Sequence, residues 1–90
     1  MKIKSIIVDD EKHGRENLAG ILQKYCPEIK LVAEANSVDA ARKMIEEFDP
    51  DLVFLDIEMP KANGFQLLEQ LTDFRFEVIF VTAYGNYAIK

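Results

Sequence analysis

The chain is poor in the residues that several chemistries require. Its single cysteine, Cys26, excludes an internal disulfide and reads as a partly buried small hydrophobe. Its single histidine, His13, lacks the partners of a zinc site or a nucleophile-base pair and reads as an exposed residue in a first helical turn. No apolar run approaches the roughly 20 residues that span a bilayer. The opening Met1-Lys2-Ile3-Lys4 leads into a short strand rather than a signal-peptide core. Repeats, low-complexity segments and blocks of like charge are also missing. Cationic residues are outnumbered, 11 Lys and Arg against 16 Asp and Glu, and the net charge of -5 disfavours DNA or an anionic membrane as a direct partner. These absences predict a reduced, cytoplasmic setting.

What is present suffices for one core. Of the 90 residues, 49% are hydrophobic, which supports a single domain and leaves no room for a second. Apolar stretches alternate with helical patterns, the signature of βαβ units and a parallel sheet. Strands are predicted over 3–8, 30–35, 52–56 and 77–82. A helix is predicted over 12–25, with Leu18, Ile21, Leu22 and Tyr25 at helical spacing and Pro27 as its stop. A second helix is predicted through Phe48, capped by Ser37, with Ala41, Met44, Ile45 and Phe48 on one face. After a loop over 57–63, a third helix is expected to carry Phe65, Leu67, Leu68 and Leu71. Phe48, Phe54, Phe65, Phe76 and Phe80 are expected in the core.

Three aspartates stand where this pattern places ligands. Asp9 and Asp10 follow the apolar run Ile6-Ile7-Val8, and Asp56 follows Leu52-Val53-Phe54-Leu55. In an open parallel sheet the carboxyl ends of the strands share one rim, and the crevice outside that rim is the binding site. Three carboxylates converging there repel one another unless a cation lies between them, and a hard, oxygen-seeking ion such as Mg²⁺ suits them. A plainer reading has Asp9 or Asp10 capping the first helix.

The end of the chain carries its own expectation. Tyr84, Tyr87 and Ala88 lie at helical offsets, so 86–90 reads as the start of a helix too short to stand alone. An unfinished strand-helix unit would leave the fourth strand at an exposed edge, free to pair with a second copy. The alternative is a complete small fold of four strands.

Val8-Asp9-Asp10-Glu11, the segment Phe54-Leu55-Asp56-Ile57-Glu58-Met59-Pro60-Lys61-Ala62-Asn63-Gly64 and Val81-Thr82-Ala83-Tyr84 together resemble the receiver domain of two-component response regulators. The run from Thr82 to Lys90 further resembles the LytR/AlgR type, whose receivers are usually followed by a LytTR DNA-binding domain. The resemblance implies an α/β, flavodoxin-like (CheY-like) fold with parallel strands in the order 2-1-3-4, lacking the fifth strand and last helix, so that residues 1–90 form a C-terminally truncated receiver without its effector domain. It implies that Asp56 accepts a phosphoryl group from a sensor histidine kinase. Mg²⁺ would be held by Asp9, Asp10, Asp56 and the backbone carbonyl of Glu58, with Asp9 acting mainly through a bound water. Thr82 and the Ala83 N–H would contact the phosphoryl group and switch the conformation that controls transcription, DNA being reached only through the absent domain. Enzymatic character would be confined to the domain's own phosphorylation and dephosphorylation.

The receiver's fifth-strand lysine and aromatic switch residue have no counterpart here, and Lys90 comes too early to be the lysine. Two other functions compete. A haloacid-dehalogenase-like phosphatase also uses a strand-end aspartate with Mg²⁺, but wants an aspartate where this chain has Glu58 and leaves Asp9-Asp10 unused. An interaction module would instead form a homodimer through the unfinished edge, its phosphorylation site disabled.

Overall fold

In the computed structural model the described residues are 2–56, 75–81 and 87–89. They form β1 (Ile3–Val8), α1 (Lys12–Tyr25), β2 (Ile29–Ala35), α2 (Val38–Phe48), β3 (Leu52–Asp56), β4 (Glu77–Val81) and β5 (Tyr87–Ile89). The sheet order is β2-β1-β3-β4-β5, with every pair parallel except β4 and β5. The four parallel strands thus stand in the expected order 2-1-3-4.

Period-two alternation divides the apolar residues between two layers. Ile6, Val8, Val53 and Leu55 pack with Val38, Ala41 and Ile45 of α2 and with Phe76. Ile7 and Phe54 face the other way, onto Leu18 and Leu22 of α1. Because helices cover both faces, β1 and β3 are buried along runs of consecutive residues, Ser5 to Val8 and Val53 to Asp56. Burying each large aliphatic side chain stabilises the fold by about 1.5–3 kcal/mol, so these two strands anchor the sheet. Phe54 and Phe76 are buried, and Phe48 and Phe80 pack partly buried against the core. Phe65 and the predicted third helix lie outside the described residues.

The helix ends are set by local chemistry. Ser37 has extended backbone and its hydroxyl accepts the Ala40 N–H at 3.1 Å, as its sequence position predicts. At the far end Asp49 takes a left-handed conformation (φ 46°), and the Lys4 ammonium donates to the Phe48 carbonyl at 2.9 Å. On α1 the apolar stripe divides: Leu18 and Leu22 are buried, whereas Ile21 is 38% and Tyr25 68% exposed. Tyr25 lies beyond the edge of the core and has the Lys24 ammonium 5.3 Å from its ring centre. Cys26 is half-buried against the α1 layer and His13 is exposed, as expected.

One expectation is overturned. Tyr87–Ile89 is a strand rather than the start of a helix, and it pairs antiparallel with β4 through Ile79↔Ile89, Phe80↔Ala88 and Val81↔Tyr87. Three helical offsets are a weak signal, and so short a helix cannot recover its nucleation cost. Strand pairing instead satisfies the outward N–H and C=O groups of β4, and Tyr and Ile favour extended backbone. The edge of β4 is therefore occupied along Ile79–Val81, and among the described residues β2 and β5 are the outer strands of the sheet.

Register sets the position of the acidic rim. Val8 pairs with Leu55 across β1 and β3, so Asp9 and Asp56, each one residue further on, come level at the carboxyl ends. On the other side the partner of β1 jumps from Leu31 at Ser5 to Ala33 at Ile6, and the shifted ladder ends with Val8↔Ala35. The Asp9 N–H then donates to the Ala35 carbonyl at 3.0 Å, extending the backbone bonding by one residue into the site.

Candidate metal and phosphoacceptor site

Asp56 closes β3 and is only 4% exposed, although it is a carboxylate. Asp9 and Asp10 are half-buried at the start of the β1–α1 turn. One carboxylate oxygen from each of the three lies within 4.8 Å of the others. The structure thus brings together the three aspartates singled out in the sequence. Glu58, Thr82 and Ala83, expected to complete the site, lie outside the described residues.

Each aspartate is placed by a different local device. Asp56 is held by the buried ladder of β3, which pairs with β1 on one side and β4 on the other. Asp9 is held by its own turn, where its Oδ1 accepts the Glu11 N–H at 2.9 Å. This i to i+2 bond is an Asx turn, and it turns the chain from β1 into α1. Glu11 itself makes no side-chain cap. The capping and metal-site readings of Asp9 are thus compatible, because one carboxylate oxygen serves the turn while the carboxylate also belongs to the triad. Gly14 supplies the room: a Cβ there would fall 2.5 Å from Asp9 Oδ2 and force the carboxylate to shift.

The electrostatic cost of the cluster is visible on Asp9. Burial is the chief influence raising its pKa from the ordinary 3.8 to about 6. The Glu11 N–H opposes this rise, while the charge of Asp56, a hydrogen bond with Asp56 and the charge of Asp10 add to it. Keeping a proton on Asp9 up to about pH 6 is a local answer to burial and crowded negative charge. An oxygen-only donor set of like charges also fits a hard divalent cation, which would relieve the same repulsion.

Two neighbours escaped the sequence reading. Arg15 Nη1 donates to the Asp9 carbonyl at 2.7 Å, and its Nε lies 3.5 Å from Glu34 Oε1 at the end of β2. In the sequence both look like ordinary solvated charges. Only the packing of α1 against the β1 and β2 termini shows that Arg15 is 17% exposed and engaged with the acidic turn.

Residues 6–90 match the response regulator receiver domain family. The chain belongs to that family. It is a signalling family of two-component systems, and this membership favours the phospho-accepting reading over the phosphatase one. Receiver domains typically bind Mg²⁺ at an acidic site, and this chain has a cluster of three carboxylates, Asp9, Asp10 and Asp56, at the carboxyl-end rim of its sheet. Among characterised relatives, the chain is 41% identical over 87 residues to the sensory transduction protein LytT of Enterococcus faecalis, covering 94% of this chain and 36% of that protein. It is 38% identical over 89 residues to the transcriptional regulatory protein BtsR of Escherichia coli, covering 98% of this chain and 37% of BtsR. The resemblance to LytT-type receivers is thereby established, and the chain spans little more than a third of these relatives' length. Among solved structures, the response regulator domain of Thermotoga maritima CheB superposes with a TM-score of 0.77 at 29% identity, covering 96% of this chain and 64% of that one. The receiver fold is therefore common to chains of quite different sequence.

Proposed function

We propose that Asp56 is the phosphoacceptor of this receiver and that a sensor histidine kinase is its donor. One observation carries the proposal: a nearly buried carboxylate at the end of the central parallel strand faces two further carboxylates within 4.8 Å. A carboxylate oxygen of Asp56 attacks phosphorus and forms the P–O bond of an acyl phosphate. The P–N bond of the kinase phosphohistidine breaks, and the imidazole nitrogen keeps the electron pair and takes up a proton.

Asp9, Asp10 and Asp56 fit Mg²⁺ as a set of convergent oxygen donors, and Glu58 is proposed to add its backbone carbonyl. When bound, the ion neutralises charge on the transferring phosphoryl group. The protein's own share is orientation: β3 fixes the nucleophile, and the Asx turn fixes Asp9 beside it. Thr82 and the Ala83 N–H are proposed to donate to the phosphoryl oxygens and to bias a two-state switch. Residues 1–90 act as the receiver domain. The output is proposed to pass through a LytTR DNA-binding domain controlling transcription.

The test is incubation with acetyl phosphate, with and without Mg²⁺, followed by intact-mass measurement. One metal-dependent, base-labile phosphoryl group is expected on the wild-type protein and none on Asp56→Asn. Undiminished uptake by Asp56→Asn overturns the assignment. Self-association is a separate matter. Because the edge of β4 is paired over Ile79–Val81, β2 and β5 are the outer strands of the described residues that two copies could pair through. Light-scattering mass against concentration tests it, with a rise toward twice the monomer mass expected of a dimer.

A further inference from the structure

All three polar handles of Asp9 are tied, each by a different part of the fold. Its N–H donates to the Ala35 carbonyl at 3.0 Å, its Oδ1 accepts the Glu11 N–H at 2.9 Å, and its carbonyl oxygen accepts Arg15 Nη1 at 2.7 Å. The third tie reaches further than Asp9. That carbonyl belongs to the peptide unit joining Asp9 to Asp10, and a peptide unit is planar. Holding its oxygen fixes the plane and hence the direction in which the chain enters Asp10. A charge-assisted hydrogen bond of this length is also stronger than a hydrogen bond between neutral amides.

Arg15 is itself restrained. Its side chain is 17% exposed, and Nε faces Glu34 at 3.5 Å, one residue before the Ala35 whose carbonyl takes the Asp9 N–H. The planar guanidinium thus spans from β2 to the β1–α1 turn, contacting two acceptors through fixed donor directions. A lysine ammonium has no such fork. Glu34 is 38% exposed, so the ion pair adds little stability by itself, and its effect lies in aiming the guanidinium.

We propose that Arg15, aimed by Glu34, is a positioning residue that fixes the Asp9–Asp10 peptide plane and thereby the spacing of the three carboxylates. The inference deepens the acidic-site reading above and rests on it for its metal-binding consequence. Removing a group that orients a metal ligand typically lowers metal affinity by 10–100-fold, and Arg15→Met is expected to weaken Mg²⁺ binding by about tenfold. Glu34→Gln keeps the bond to the Asp9 carbonyl and is expected to weaken binding less. Arg15→Lys is expected to fall between Arg15→Met and wild type.

The experiment measures Mg²⁺ affinity by calorimetry for the wild type and the three variants. Alongside it, amide exchange at Asp10 is followed by NMR in the metal-free proteins, with circular dichroism reporting the fold. Weakened Mg²⁺ binding with wild-type helix content supports the proposal, as does faster Asp10 N–H exchange in metal-free Arg15→Met. Phosphoryl uptake from acetyl phosphate is expected to return to near the wild-type rate at saturating Mg²⁺, which a general loss of structure would not allow. Affinity within about twofold of wild type in folded Arg15→Met, well inside the usual effect of removing an orienting group, together with unchanged Asp10 exchange overturns it. If Arg15→Met does not fold, Arg15→Lys and Glu34→Gln decide in the same way, and wild-type affinity and exchange in both overturn it. Failure of the wild-type protein to bind Mg²⁺ overturns instead the acidic-site reading, while Asp10 exchange still decides the role of Arg15.

Discussion

Asp9 concentrates the tension of the site in one side chain. With a folded-state pKa near 6 against an ordinary 3.8, the carboxyl holds its proton more tightly in the folded chain than in the unfolded one. Its contribution to stability is therefore fully present below about pH 4 and is lost as pH rises through about 6. The melting temperature of the metal-free protein is expected to show this loss between those values, superposed on the titration of the other groups. Asp9→Asn, which removes the titration, should flatten that part of the profile. The same substitution removes a partly buried charge and, with it, the weaker repulsion from Asp56 and Asp10, together worth on the order of 1 kcal/mol at neutral pH, equivalent to about 4–8 °C in a domain of this size. It should also diminish stabilisation by Mg²⁺. A neutral-pH melting temperature below that of the wild type, measured without metal, would contradict a cost from burying and crowding this charge. The three aspartates were readable in the sequence because strand-end carboxylates break an apolar pattern. Arg15 was not, because a cation in the second turn of a helix has the same local pattern whether it is solvated or folded back on the sheet.

Among the elements, β3 and α2 give the sharpest tests. Leu55 is fully buried between neighbouring strands and beneath the α2 layer, and Leu55→Ala should cost about 2–5 kcal/mol by leaving a cavity. Chemical denaturation should show an earlier midpoint, and an unchanged midpoint would contradict the burial. Ser37→Ala should cost about 1 kcal/mol through loss of the Ala40 N–H bond, seen in the same measurement. Strands and helices up to Asp56 were legible because each apolar run is long enough to show its period and is bounded by Pro, Asp or Ser. The segment at Tyr87–Ile89 was misread because three residues show no period, and its structure is decided by an unpaired neighbour, β4, that local pattern does not reveal. The exposure of Ile21 and Tyr25 has a similar origin, since spacing places them on the apolar stripe but not within reach of the sheet.

At the scale of the whole molecule, the parallel order 2-1-3-4 brings the ends of β1 and β3 side by side, and this adjacency makes a site from residues 46 and 47 positions apart in sequence. The order was accessible only through the family resemblance, because alternation of strands and helices fixes neither which strands are adjacent nor their register. Binding of Mg²⁺ to the folded state alone should stabilise the entire domain, by about 2.7 kcal/mol at a hundredfold excess over Kd, and a chelator should reverse the shift. A melting temperature indifferent to Mg²⁺ at every concentration up to that excess would contradict the acidic-site assignment. The most direct measurement is chemical localisation of the phosphoryl group. Borohydride reduction of the acetyl-phosphate-treated protein, followed by peptide mass spectrometry, converts an aspartyl phosphate into a homoserine that marks its position. Homoserine is expected at position 56, formed only when Mg²⁺ is present. A marker at another acidic residue, or none from a folded and Mg²⁺-bound protein, would contradict the Asp56 assignment.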